Sequence, residues 1–255
     1  MANFQEFSLE SIVLRVVAAV DAFTPTVLTE GALGNQTGQI LALAALQRMA
    51  DLLQSELELF RAGKISTTRS LARTITDLWL NGNQLLLDPE VAVERLLAED
   101  TIVNNQLQHG ANVLWQRYEK HREDGVDARN PEFERESGQR PNLENLSMTV
   151  AKLRKQRGLG DRGLAEYNYQ WTYRRDSSQD VHATLEHLFR YVRPDNGVIQ
   201  ILRTPDPDDV SVFRGPEAIR QDAQLISDLL GIYLRVSGQD AAFDRLVVFL
   251  NSPLG

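Results

Sequence analysis

Apolar residues in this chain recur at spacings of three and four, over segments far longer than a β-strand. Each such segment has one face for a core and one for water, which commits the chain to helices packed on helices. The first is capped by Ser8, turns Ile12, Val13, Val16, Val17 and Val20 inward and ends before Pro25. A glycine-rich loop follows over 25–38. A second helix covers 39–61, and Gly63 stands where a left-handed cap would close it. A third runs from a Ser66 cap to Leu87, and a fourth starts at Pro89 and continues to about Arg122. Helices return over 143–157 and 161–192, broken at Gly158-Leu159-Gly160, and again over 216–236 and 239–250. Residues 123–142, rich in Gly, Pro, Asn and charge and without periodicity, read as a long mobile loop.

Only one stretch departs from this pattern. Val198-Ile199-Gln200-Ile201-Leu202 and Val210-Ser211-Val212-Phe213 alternate on either side of Pro205-Asp206-Pro207, which predicts a small β-hairpin over 198–213. The expected fold class is all-α: one helical domain over 1–255, a bundle of about seven helices with that hairpin inserted.

Composition excludes several functions. A net charge of -8 argues against a sequence-independent duplex binder, which neutralises phosphates with a basic surface. Without cysteine there is no thiolate nucleophile, disulfide or Cys-ligated metal centre, and a reducing compartment fits. MANFQEFSLES lacks the basic and apolar parts of a secretion signal, and no stretch reaches ~18 uninterrupted apolar residues. The expectation is a cytoplasmic protein with no membrane contact. His182 and His187 are five apart, on different sides of a helix, and Gly158 to Gly163 has neither dinucleotide nor P-loop spacing. No metal and no cofactor is expected.

The segment Tyr167 to His182 is the one that suggests chemistry. On a continuous helix Arg175 and His182 lie seven residues apart, ~20° around the axis and ~10 Å along it, with Ser178 between them. A neutral imidazole can take a proton from a ribose 2′-hydroxyl, and a guanidinium can hold the phosphate whose charge grows as the bond breaks. Ser178 would position the imidazole or the phosphate, and Asp176 would orient Arg175. RNA cleavage by these groups needs no metal. From Ala151 to Arg193 there are nine basic residues against five acidic ones, in a chain that is acidic as a whole. Lys152, Lys155 and Arg174, beside Tyr167, Tyr169, Trp171 and Tyr173, would suit single-stranded RNA through phosphate contacts and stacking.

Arg175-Asp176 followed by His182 resembles the Arg–polar–x–His signature of the HEPN superfamily of helical nucleotide-binding and RNase domains. That resemblance implies a metal-independent endoribonuclease, a toxin or defence effector, whose site is composed across a homodimer; whether a regulatory protein partner holds it in check is left open by the sequence. Arg73-Thr74-Ile75-Thr76-Asp77, followed by Tyr169 to Tyr173 with Arg174, Ser177 or Ser178, and Val181-His182, is similar to a bacterial helical family, domain-of-unknown-function family 5677. It implies a polar cluster of Arg73, Asp77, Tyr173, Arg175, Ser178 and His182 between helices; Arg174 or Arg175, and Ser177 or Ser178, can fill the matching positions. Two functions stay open on these residues. One is the HEPN-like ribonuclease, and the other is a non-catalytic binding or scaffolding module in which the same cluster only fixes helix packing.

Overall fold

The computed structural model describes Phe4 and residues 7–24, 37–98, 143–159, 192–195, 198–201 and 215–252. Helix α1 spans Leu9–Phe23 and begins as expected, with the Ser8 hydroxyl oxygen accepting the Ser11 N–H at 3.2 Å. Helix α2 spans Thr37–Arg61 and α3 spans Ile65–Leu87. Between them the chain reverses on Gly63. At φ 71 this residue lets its own N–H reach the Phe60 carbonyl while the Lys64 N–H reaches Leu59, so the last carbonyls of α2 are satisfied. Lys64, not Ser66, precedes α3 and offers no side-chain cap.

Asp88 interrupts the helical backbone for one residue before α4, which is described over 89–98. Helix α5 spans Leu143–Gln156 and closes on Gly158 at φ 65, with the Leu159 N–H on the Arg154 carbonyl. Gly158 thus serves as the left-handed end of this helix. Helices α6, Gly215–Val236, and α7, Asp240–Asn251, complete seven among the described residues.

One continuous core joins them. Ile12, Val16 and Val20 of α1, Leu46, Met49 and Leu53 of α2, Ile75, Trp79 and Leu80 of α3, and Ile219, Ile226 and Leu229 of α6 are all essentially without solvent contact. Each such aliphatic side chain contributes about 1.5–3 kcal/mol by leaving water. Helix α6 packs on α1, α2 and α3; α5 lies against α3, and α7 against α1 and α6.

The hairpin predicted over 198–213 is corrected by the strand pairing. Val198–Ile201 (β2) pairs antiparallel with the segment before it, Val192–Asp195 (β1), in the register Val192 to Ile201 and Asp195 to Val198. That register leaves two residues between the strands, and in sequence they are Asn196-Gly197, the dipeptide that favours a two-residue hairpin loop. Pro205-Asp206-Pro207 lies outside the described residues. Val192, the last residue of the helix predicted over 161–192, is the first of β1 instead, and the rest of that predicted helix lies outside the described residues. Val210 to Phe213 and the loop predicted over 123–142 lie outside the described residues.

Candidate functional site

Helix α3 carries two polar rows. The first continues from the pair noted in the sequence: Arg73, Asp77, Asn81 and Gln84 follow one another at four, four and three residues, on one side of the helix. Arg73 and Asp77 are half-buried. Burial pushes the Asp77 carboxyl from an ordinary 3.8 to about 7, against the opposing pull of the Arg73 charge. Its Oδ1 is enclosed and has no hydrogen-bond partner. Below it, the Asn81 side-chain amide donates to the Asp77 carbonyl at 2.8 Å. Arg95 of α4 then donates to Asn81 Oδ1 and, through Nε at 2.9 Å, to Gln84 Oε1. The result is a row of alternating basic, acidic and amide groups, with a carboxyl that exchanges its proton near neutrality. Groups of that kind are what general acid–base chemistry uses.

The second row, Trp79 and Asn83, faces α5 and α6. Arg154 of α5 reaches in and sets its guanidinium on Asp228 of α6, with Nη1 to Oδ2 at 2.7 Å and Nη2 to Oδ1 at 2.9 Å. The same Nη1 donates to Asn83 Oδ1 at 2.8 Å, and the Trp79 indole N–H donates to Asp228 Oδ2 at 3.0 Å. Arg154 also lies over the Trp79 ring, 5.4 Å from its centroid. This is a structural node. It fixes the rotation of α5 and α6 about α3 and offers little to a substrate, since the Arg154 side chain is 2% exposed.

The predicted site residues therefore divide. Arg73 and Asp77 share one face of α3. Lys152 and Lys155 are exposed on α5, but Arg154 between them is turned inward and is lost to any phosphate-binding surface. Tyr173, Arg174, Arg175, Asp176, Ser178 and His182 lie outside the described residues. Asn81, Gln84 and Arg95 were missed, although the first two extend the spacing that begins at Arg73. Asp228 was missed too; its signal is a lone carboxylate in the run Ile226-Ser227-Asp228-Leu229-Leu230. Among the described residues no group of three or more His, Asp or Glu is placed to hold a metal ion, and no helix is long and apolar enough to cross a membrane.

The model of a family of unknown function, DUF5677, matches residues 39–199, well over half of the chain. The chain belongs to the DUF5677 family. No curated protein and no solved structure matches it significantly. The DUF5677 segment takes in all but the first two residues of α2, then α3, α4, α5 and the hairpin up to Ile199, and leaves α1, α6 and α7 outside. In this member those outer helices close the core, and Asp228 supplies the counter-charge for Arg154 of the family segment.

Proposed function

We propose that this DUF5677 member is a HEPN-like, metal-independent endoribonuclease. His182 acts as general base or acid, Arg175 holds the phosphate, Asp176 and Ser178 orient them, and Arg73, Asp77 and Tyr173 support the site from α3 and the segment before Arg175. The observation that carries this reading is the state of Asp77: a carboxyl pushed up to about 7 beside an arginine, with one buried oxygen unengaged, on a helix where a purely structural acid would be paired. The DUF5677 match supports it by taking in both the Arg73–Asp77 helix and the Tyr173 to His182 stretch. Lys152, Lys155 and Arg174 would add phosphate contacts, a homodimer would complete the site, and a regulatory protein partner fits a toxin or defence effector.

The test is cleavage of a mixed single-stranded RNA pool by purified protein in EDTA. His182→Ala lowers the rate by about 10²–10⁴-fold, with an unchanged melting temperature. The second reading, a binding or scaffolding module, is favoured by the Arg154–Asp228 node, which shows this bundle using buried polar groups for packing alone. Absence of cleavage by the unaltered protein, or a His182→Ala protein that cleaves as well as it, would leave that second reading standing.

A further inference from the structure

We infer that the cleft between α6 and α7 is a binding site for a small aromatic carboxylate. The cleft has a volume of about 150 Å³, the order of space that admits a benzene-sized body. Its walls are apolar, formed chiefly by Phe4, Ile232, Leu246, Val247 and Leu250. Gly231 lets the Phe243 ring close on α6 at the edge of the cleft, where an added Cβ would come within 3.1 Å of that ring.

Two ionised groups line this space, and their states differ. Asp228 is already matched: its two oxygens take three donors from Arg154 and Trp79. Arg235 is not. It is stacked over Phe243, its guanidinium carbon 4.0 Å from the ring centroid, and it makes no hydrogen bond or ion pair among the described residues. A guanidinium laid on a ring keeps its edge donors for a planar anion and has already lost much of its rotamer freedom. The charge without a protein partner is therefore positive and sits beside an apolar volume the size of one ring, which selects an aryl carboxylate over a cation or a neutral arene. This site is independent of the ribonuclease reading and lies outside the DUF5677 segment except for Leu159.

Titration calorimetry and thermal shift on the full chain test it, with sodium benzoate as the probe and benzylamine as the charge-reversed control. Benzoate is expected to bind with a Kd of about 1 mM or better and, at about 10 mM, to raise the melting temperature, while benzylamine does neither. Arg235→Met, at an exposed position where the stem can still cover Phe243, weakens benzoate binding by roughly tenfold or more. Val247→Phe fills the cleft from a half-buried position and abolishes binding with Arg235 intact. Circular dichroism confirms that both variants fold. A chain that takes up no benzoate, that binds benzylamine equally well, or whose two variants bind benzoate undiminished overturns the proposal.

Discussion

Arg154 and Asp228 meet as a fork on a carboxylate in the bundle interior, although 74 positions separate them in the chain. Breaking such a pair strands a buried charge. Asp228→Ala is expected to cost about 3–5 kcal/mol of unfolding free energy, read from urea denaturation. The double variant Arg154→Met, Asp228→Leu should recover part of that loss and no more. It removes both charges, but leaves the Trp79 N–H and the Asn83 carbonyl oxygen without partners, at about 1–3 kcal/mol each. A double variant as unstable as Asp228→Ala would show that the charge pair is not what the node depends on.

Gly82 lies where α3 crosses α6, and a Cβ there would meet Leu229 Cδ2 at 2.6 Å. Helix propensity alone would make Gly82→Ala stabilising by about 1 kcal/mol. Leu229 is fully enclosed, so overpacking at about 1–3 kcal/mol should win and the variant should unfold more easily. In a Leu229→Ala background the alanine at 82 should cost far less. Thermal denaturation of the two single variants and the double one measures that coupling.

The helical frame was legible because its signals are local. Ser8, Gly63 and Pro89 each act on the backbone within one turn, and the apolar spacing shows which stripe of α1, α2, α3 and α6 is buried. The hairpin was misplaced because Val192, the first residue of β1, was given to the end of a helix, which left Asn196-Gly197 without a strand before it. Arg154 reads in sequence like its neighbours Lys152 and Lys155. What separates it is a position on the inner face of α5 opposite Asp228, a contact no window of the chain contains. For Asp77 the spacing to Arg73 was visible, but not the burial that turns an ordinary ion pair into a proton-exchanging carboxyl.

Arg15 ties the end of α7 to α1. It is 1% exposed, lies 4.3 Å over the Phe7 ring, and donates to Ser11 Oγ at 3.2 Å and to the Ser252 carbonyl. Arg15→Met keeps the apolar stem and deletes the donors, at a cost of about 1.5–3 kcal/mol. The loss should be local. Amide hydrogen exchange should quicken in α7 well before α2 and α3; equal acceleration in all three would mean that Arg15 supports the whole core instead.

Asp77 makes stability depend on pH in a definite direction. Its carboxyl titrates at about 7 in the folded chain, whereas an unfolded aspartate has its ordinary value of 3.8. Between those values the folded chain holds a proton that the unfolded chain has released, so this group's contribution is most favourable below about 4, declines as pH rises, and levels off above about 7. Asp77→Asn mimics the protonated form and should remove that decline. The gap between the two proteins in urea midpoint should therefore widen in favour of the variant from pH 4 to pH 7 and stay constant beyond. A gap that is flat across this range, or that widens in the other direction, would place the Asp77 carboxyl in its ordinary range. If RNA cleavage is found, Asp77→Asn should also lose whatever limb of the rate profile lies near pH 7, which separates a carboxyl that takes part in proton exchange from one that only shapes α3.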